Sequence, residues 1–165
     1  MRIGIITCSD RGSRGEREDL TGTMLKELVR EIGGEVEAYA IVPDEKEVII
    51  EKLIDMVDYQ RLDLVLTTGG TGFGPRDITP EATMTVIQRR APGIAEVMRI
   101  ESMKITPRAM LSRGVAGIRR RSLIINLPGS VKAAQESFEA IMPALSHGIE
   151  ILRGDAQNCG EAFEL

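Results

Sequence analysis

Strand-like and helix-like segments alternate along the first part of the chain, and this alternation restricts the possible folds more than any other feature. Short apolar, β-branched runs at 2–9, 35–43 and 62–68 are separated by segments at 19–34 and 44–60, in which apolar residues recur at helical spacing. Strands linked by helical crossovers pair in parallel, and the helices cover both faces of the sheet. The pattern therefore predicts an α/β fold, a three-layer α/β/α sandwich with a mostly parallel central sheet.

The second half of the chain continues with mixed elements. Helices are predicted at 80–90 and 93–103, separated by the proline and glycine of "APG". The stretch "RGVAGIRRRSLIINLPG" indicates two strands around a tight basic turn, whose arginines we expect to be solvated. Apolar residues at steps of three and four predict a last amphipathic helix over 130–152, packed on the sheet.

Length and composition limit the organisation of the protein. With 165 residues, 42% of them hydrophobic, the chain can bury one substantial core, so we expect a single domain over 1–165 with a C-terminal tail at 154–165. The 21 basic and 25 acidic residues produce no overall field that would attract nucleic acid or an anionic membrane. Any bound anion must therefore be held locally.

The cysteines and the N-terminus favour the cytoplasm. Cys8 and Cys159 are far apart and have neither metal-ligand nor redox spacing, so a disulfide framework or a zinc site is not expected. The apolar N-terminal run lacks the length and cleavage site of a signal peptide, and no segment approaches the length of a membrane span. The cytoplasm is the predicted compartment.

Four loops are expected to meet at the carboxyl edge of the sheet, where open α/β sheets bind ligands. These loops are "CSDRGSRG", "VPDE", "TTGGTGFGPRD" and "NLPGS". The third contains four glycines in six positions, interleaved with threonine, which favours a backbone nest for phosphate oxygens over a turn that merely leaves the sheet. No lysine follows as in a P-loop, and the GxGxxG spacing of dinucleotide folds is absent, so kinases and dehydrogenases are disfavoured.

Aspartates in these loops have both structural and functional interpretations. Asp77 can close its loop as an Asx-turn, and Asp44 with Glu47 three residues later can cap a helix. Thr79, followed by proline and glutamate, is expected to cap the next helix, so Asp77 is not needed there. As a pair beside a phosphate nest, at the ends of strands expected to be neighbours, Asp44 and Asp77 suit magnesium. Asp10 is a third candidate, although Ser9 or Asp10 can also cap a turn.

Together the four loops, with "TTGGTGFGPRDITPEAT" as the longest, resemble the MogA/MoaB family of molybdenum cofactor biosynthesis proteins, which includes the G domain of gephyrin. The similarity runs from residue 2 to about residue 150. It implies a compact α/β fold assembled as a trimer or a pair of trimers, and molybdopterin adenylyltransferase activity. In that reaction the terminal phosphate of molybdopterin attacks the α-phosphorus of ATP with Mg²⁺, giving adenylylated molybdopterin and pyrophosphate.

The resemblance also implies roles for individual residues. Asp44 and Asp77 match the family's two functional aspartates, as catalytic and metal-binding residues. The predicted substrate-binding residues lie in the other positions of these loops: Ser9, Asp10, Thr68, Gly69, Gly70, Thr71, Gly72, Pro128, Gly129 and Ser130. A hand-over of the product to a molybdenum-insertion protein is implied as well, and molybdenum and tungsten pathways both stay open.

Other functions remain as alternatives. A pterin-binding or scaffolding subunit without catalysis would share the fold and the pocket. The longer metal-insertion domains and the competence-damage type of nucleotide hydrolase are less similar, because their glycine loops differ from the one in this chain.

Overall fold

The computed structural model describes residues 1–154, so residues 155–165 of the expected tail, including Cys159, lie outside the described part. A six-stranded sheet forms the centre, in the order β2-β1-β3-β6-β5-β4. Its strands are β1 (Arg2–Cys8), β2 (Glu35–Val42), β3 (Leu64–Thr68), β4 (Arg89–Arg90), β5 (Ala116–Arg119) and β6 (Ser122–Leu127). The first four in the spatial order are parallel, whereas β5 and β4 are antiparallel to their neighbours. The prediction of a mostly parallel sheet is confirmed.

The described part of the chain has six α-helices, five between strands and the last after β6: α1 (Asp10–Ser13), α2 (Leu20–Glu31), α3 (Lys46–Ile54), α4 (Thr79–Val86), α5 (Pro92–Met103) and α6 (Val131–Arg153). A π-helical turn (Asp55–Tyr59) extends α3, and a 3₁₀ helix (Pro107–Leu111) follows α5. Among residues 1–154, no helix combines the length and the hydropathy that crossing a bilayer would require.

Two hydrophobic cores lie on the two faces of the sheet. Helices α2, α5 and α6 cover one face, where Phe138 and Leu25 are fully buried. Helices α3 and α4 cover the other, where Ile49 and Leu53 are fully buried. All five residues of β3 are buried because the strand has neighbours on both sides and helices on both faces, which explains its continuous apolar sequence.

The register of the central strands aligns their carboxyl ends. Thr7 pairs with Thr68, and Thr68 pairs with Leu127, so β1, β3 and β6 end at the same level. The loops that follow these strands therefore begin side by side. This alignment creates the edge at which the predicted site lies.

One predicted helix is shorter than expected. Helix α4 ends at Val86 rather than at residue 90, and the backbone of Ile87 is extended. Gln88 N–H donates to Ile118 O, and Ala91 N–H donates to Ala116 O, so this segment joins the edge of β5 as β4. The helix prediction was wrong here because the open edge of a strand distant in sequence offers hydrogen bonds that local periodicity does not reveal.

The basic turn between β5 and β6 is less solvated than predicted. Arg119 donates to both carboxylate oxygens of Asp58, at 2.9 and 2.6 Å, and to Val86 O at 3.0 Å. Arg120 also pairs with Asp58, at 2.9 Å. The prediction failed because the π-helical turn after α3 brings a carboxylate to this hairpin.

Candidate active site

The four predicted loops converge at the carboxyl edge of the sheet through direct contacts. Thr68 Oγ1 donates to Pro128 O at 2.7 Å, and Gly69 N–H donates to Leu127 O at 3.2 Å, which join the loops after β3 and β6. Ser9 N–H donates to Val42 O at 2.8 Å, which joins the loops after β1 and β2. The structure thus brings all four segments together, as predicted.

Glycine is required at the start of the third loop. Gly69 and Gly70 have φ values of +96° and +62°. A Cβ on Gly69 would lie 2.3 Å from the Cys8 carbonyl oxygen, and one on Gly70 would lie 2.4 Å from Thr79 Oγ1. Both glycines therefore let the loop backbone pack directly against β1 and α4, a structural role that the nest interpretation did not include.

Fewer N–H groups of the glycine-rich loop are open to an anion than the prediction of a phosphate nest assumed. Gly69 N–H is occupied by Leu127 O, and Gly74 N–H donates to Asp77 Oδ2 at 2.8 Å. The N–H groups of Gly70, Thr71 and Gly72 make no hydrogen bond to any residue that the structure describes. These three groups are the ones left for an anion.

A cavity of about 280 Å³ opens on the α2 and α6 side of the converging loops. Predicted residues in its wall are Ser9, Thr68, Gly69, Gly129 and Ser130. The sequence did not single out the other polar groups that line it: Thr7, Arg17, Glu18, Asp19 and Thr21. The wall combines hydroxyls and backbone groups with one arginine and two carboxylates, which suits a polar organic ligand.

The hydroxyl at the start of α6 retains a structural role. Ser130 caps the helix, with Oγ accepting from Ala133 N–H at 3.4 Å. Gly129 O accepts from Thr21 Oγ1 at 3.1 Å, which ties this loop to α2. The carbonyl of Pro128 and the hydroxyl of Thr68 already bond to each other. Binding of substrate by these residues stays a prediction.

Cys8 also lines the cavity, but it is not an activated nucleophile. Burial raises the pKa of its thiol to about 12. The thiol is therefore protonated near neutral pH, and covalent catalysis through a thiolate is not supported.

Asp10 and Asp44 form a reciprocal pair across the loops after β1 and β2. Asp10 N–H donates to Asp44 Oδ2 at 2.9 Å, and Asp44 N–H donates to Asp10 Oδ1 at 3.1 Å. Burial, together with the charges of Asp10 and Asp77, raises the pKa of Asp44 above its usual range. Negative charge is therefore costly at the half-buried Asp44 carboxylate.

Arg76 partly neutralises this region from the solvent side. Its guanidinium donates to both oxygens of Asp10, at 3.0 and 2.9 Å, and to Glu45 Oε1 at 2.8 Å. These hydrogen bonds lower the pKa of Asp10. Arg76 therefore explains why a charged residue stands next to Asp77 in the glycine-rich loop.

The two proposed helix caps are wrong. The N-cap of α3 is Glu45 rather than Asp44, because the Asp44 carboxylate faces Asp10 instead of the helix. Helix α4 has Ile78 at its N-cap, and Thr79 is its first helical residue, with a buried hydroxyl that makes no hydrogen bond of normal geometry. For Asp44, a contact with a distant loop took precedence over local capping.

The strands before Asp44 and Asp77 are not neighbours, contrary to the prediction, because β1 lies between β2 and β3. The two aspartates approach each other because the glycine-rich loop folds back over the end of β1. A Cβ on Gly70 would lie 3.1 Å from Asp44 Oδ1. The juxtaposition thus depends on the loop rather than on adjacent strands.

Asp77 has the loop-closing role considered for it, in a different form. Its Oδ2 accepts from Gly74 N–H, and its own N–H donates to Gly74 O at 3.0 Å. The donor precedes Asp77 in the chain, so the arrangement is not an Asx-turn. Its Oδ1 has no hydrogen bond among the described residues, which leaves one oxygen for a ligand.

Two residues important to the site were missed. Asp19 accepts from Gly22 N–H, Thr7 Oγ1 and Tyr39 Oη at 2.5 to 2.9 Å, which fixes the start of α2 at the cavity wall. Arg113 contacts the back of the glycine-rich loop. The aspartate before the helix was a detectable capping signal, whereas no local pattern marked Arg113.

The side chains at the site can supply only part of the ligands that a hard cation needs. Among residues 1–154, no group of three or more His, Cys, Asp or Glu side chains could hold a metal ion by itself. Mg²⁺ typically uses one or two carboxylates, with water and substrate phosphates completing its shell. Asp44, with a carboxylate held in unfavourable negative surroundings, and Asp77, with an unbonded oxygen, fit that smaller set.

Comparisons with known proteins identify the family of this chain. A family model described as a probable molybdopterin binding domain matches residues 4–147. The chain is 46% identical over 163 residues to the molybdopterin adenylyltransferase of Helicobacter pylori (strain J99), covering 98% of this chain and 93% of that protein.

Solved structures show the same fold. The molybdopterin biosynthesis enzyme MoaB from Thermus thermophilus is 51% identical, with a TM-score of 0.89 over 93% of this chain and 96% of that one. MoaB from Pyrococcus furiosus, described as a tungsten cofactor synthesizing protein, is 35% identical, with a TM-score of 0.84 over 92% and 96% of the two chains.

Gly69→Ala should destabilise the protein more than a positive φ alone explains. We expect the free energy of unfolding to fall by roughly 2–4 kcal/mol, because backbone strain adds to the clash with Cys8 O. Gly33→Ala is the matched control, since Gly33 has φ +69° with nothing within 4 Å of an added Cβ. That control should cost about 1–2 kcal/mol in urea unfolding. Equal costs for the two variants would contradict close packing at Gly69.

Asp44→Asn should stabilise the protein near neutral pH. Because the folded state raises the pKa of Asp44, ionisation of this group opposes folding, and the unfavourable contribution disappears as acid protonates it. The variant should gain roughly 0.5–1 kcal/mol at pH 8. The gain should shrink as the pH falls towards about 4.

Asp63→Asn is the control, because the pKa shift of Asp63 and the expected change in stability have the opposite sign. Although burial raises the pKa of Asp63, hydrogen bonds from Arg153 and from Arg2 N–H leave it lower than usual. Its ionised form therefore favours folding, and the variant should lose stability at pH 8, with a smaller loss in acid. Urea unfolding across this pH range measures both. A destabilised Asp44→Asn at pH 8 would contradict the unfavourable charge.

Proposed function

We propose that this chain, which belongs to the molybdopterin-binding domain family, is a molybdopterin adenylyltransferase of molybdenum or tungsten cofactor biosynthesis. Its membership of the family confirms the resemblance seen in its loops. It transfers AMP from ATP to the terminal phosphate of molybdopterin. The observation that carries this function is the juxtaposition of three open N–H groups, at Gly70, Thr71 and Gly72, with the carboxylates of Asp44 and Asp77.

The reaction suits a site without a protein nucleophile. An oxygen of the molybdopterin phosphate attacks the α-phosphorus of ATP and forms a new P–O bond. The bond from the α-phosphorus to the oxygen bridging it to the β-phosphorus breaks, and pyrophosphate leaves with that electron pair. The attacking phosphate is already ionised near neutral pH, so positioning and charge neutralisation supply the catalysis.

We assign the ligands to the two sides of the converging loops. The cavity of about 280 Å³ beside Ser9, Gly129 and Ser130 would hold the pterin side of molybdopterin. The open N–H groups of the glycine-rich loop would bind phosphate oxygens, which are strong acceptors of backbone hydrogen bonds. The two substrates would then meet near Gly69, which lies in the cavity wall and begins the loop.

Asp44 and Asp77 would hold Mg²⁺. When bound, the ion supplies positive charge that neutralises the phosphates and orients them for in-line transfer. The unfavourable negative surroundings of Asp44 support this assignment, because a cation there would relieve the repulsion from Asp10 and Asp77. Asp10 and its partner Arg76 would adjust the charge at the rim of this site.

The oligomeric state is supported by an exposed apolar surface. Helix α5 and the segment after it expose large apolar side chains: Val97, Ile100, Met103, Ile105, Met110 and Leu111, each 40–60% exposed. A concentration of exposed large apolar side chains in one stretch of the chain favours a protein interface. We propose that this surface forms the contacts of a homotrimer. The cytoplasmic location, the single-domain extent to residue 165 and the hand-over to an insertion protein stay predictions.

Asp77→Asn should abolish adenylylation. The amide keeps the acceptor for Gly74 N–H but loses the charge needed near Mg²⁺, so pyrophosphate release from ATP should fall by about 100-fold or more. Release is measured with and without molybdopterin and Mg²⁺, together with circular dichroism and pterin binding. The variant should fold and bind pterin as the wild type does.

The same assay separates catalysis from binding alone. A wild-type protein that binds molybdopterin but releases no pyrophosphate would be a binding or scaffolding subunit. Loss of folding and pterin binding together in Asp77→Asn would make Asp77 structural.

Charged substitutions on the apolar surface should dissociate the trimer. Ile100→Glu combined with Met110→Glu places two charges where the proposed contact is dry, so light scattering should give the mass of one chain. Ile151→Glu is the control, because Ile151 is 44% exposed but lies near the end of α6. A wild-type monomer, or a double variant that remains trimeric, would contradict this surface as the interface.

A further inference from the structure

We propose that Arg113, held by Glu81, is a positioning residue for adenylyl transfer. It fixes the segment from Gly72 to Asp77 so that the Asp77 carboxylate stays at the site. This inference rests on the proposed function for its catalytic consequence, whereas its structural part stands on the contacts alone.

One planar guanidinium holds both ends of this segment. Arg113 Nε donates to Gly72 O at 2.7 Å, and Nη2 donates to Asp77 O at 2.6 Å. The backbone N–H of Arg113 donates to Thr71 O at 2.9 Å. The two side-chain bonds fix the relative positions of two carbonyls five residues apart in sequence, because the donors have a rigid fork geometry.

Glu81 fixes the guanidinium in turn. Its carboxylate, in the first turn of α4, forms an ion pair with Arg113 Nη1. Helix α4 packs against α3 and the sheet, so the ion pair connects the loop to a rigid element. Helix α4 therefore positions Glu81, Glu81 positions the guanidinium of Arg113, and Arg113 positions the loop.

The segment has few other attachments. Phe73, Gly74, Pro75 and Arg76 are exposed, so apolar burial contributes little to their conformation. The two bonds between Gly74 and Asp77 are internal to the segment and do not attach it to the rest of the protein. Its remaining side-chain anchor is Arg76, at the solvent-exposed rim. Arg113 thus supplies the hydrogen bond that ties the Asp77 backbone itself to a distant part of the chain.

Arg113 acts from behind the loop. It is absent from the wall of the cavity assigned to the pterin, and its donors point to carbonyls of the loop rather than towards the Gly70 to Gly72 N–H groups. A change at Arg113 should consequently affect the rate of the chemical step more than pterin binding. Displacement of a catalytic group by about 1 Å costs about 100-fold in rate.

The test compares Arg113→Lys and Arg113→Met with Arg119→Lys and Arg119→Met. Arg119 is a matched control because it also joins a carboxylate, that of Asp58, and a backbone carbonyl, that of Val86, far from the glycine-rich loop. Amide hydrogen exchange is measured at Gly74, Asp77 and Thr79, whose N–H groups report the loop. The kcat for adenylylation and the KM for molybdopterin are measured in parallel.

In both Arg113 variants the hydrogens of these amides should exchange about 10-fold faster than in the wild type, because the loop opens locally. Their kcat should fall about 10–100-fold with KM within about twofold. Arg113→Lys should not restore the wild-type exchange rate or kcat, because a single ammonium cannot bind two carbonyls and a carboxylate as the forked guanidinium does. The Arg119 variants should change neither readout, whatever they cost in overall stability.

Two outcomes would overturn the proposal. Wild-type exchange and kcat in Arg113→Lys would show that charge alone is needed, and unchanged loop exchange in both Arg113 variants would show that the contacts do not order the loop. Failure of the proposed function is distinguishable. It would appear as a wild-type protein without turnover, while the exchange measurements still test the clamp.

Discussion

The register of β1, β3 and β6 is the constraint on which the candidate site depends. Because Thr7, Thr68 and Leu127 lie at one level, the three strands deliver their loops to the same place. The loops then pack so closely that Gly69 contacts the Cys8 carbonyl, and a Cβ on Gly129 would lie 3.1 Å from Gly69 Cα. The backbone itself, rather than a set of side chains, therefore forms the floor of the site, and this explains why glycines are concentrated there.

The carboxylates of Asp10, Asp44 and Asp77 lie close together at this site, and the ionised form of Asp44 costs some stability. Asp10 and Asp77 both repel the Asp44 carboxylate, and the fold compensates only in part through reciprocal backbone hydrogen bonds and Arg76. Such incomplete compensation is typical of sites that await a charged ligand. Arg113 has a different task on the same loop, because its guanidinium binds carbonyls and a single carboxylate rather than the acidic cluster. Arg76 thus adjusts the charge at the rim of the site, and Arg113 fixes the geometry of the glycine-rich loop from behind it.

Much of the fold was predictable because its signals are local. The continuous apolar sequence of β3 and the three- and four-residue spacing in α6 depend only on burial by neighbouring layers. Predictions failed where a distant segment competed for a local group. Residues at the end of α4 joined the β5 edge, and the Asp44 carboxylate turned towards Asp10 instead of capping α3. In each case a long-range hydrogen bond replaced a local one of similar energy.

The sequence by itself determined most of the order of strands and helices and the four loops that meet at one edge of the sheet, because periodicity and glycine clusters are recorded along the chain. Only the tertiary structure decided that β1 separates β2 from β3, that the Gly69 N–H group is occupied, and that Arg113 contacts the glycine-rich loop. These facts depend on hydrogen bonds between residues far apart in sequence. Such bonds exist only once the layers have packed, so no local pattern encodes them.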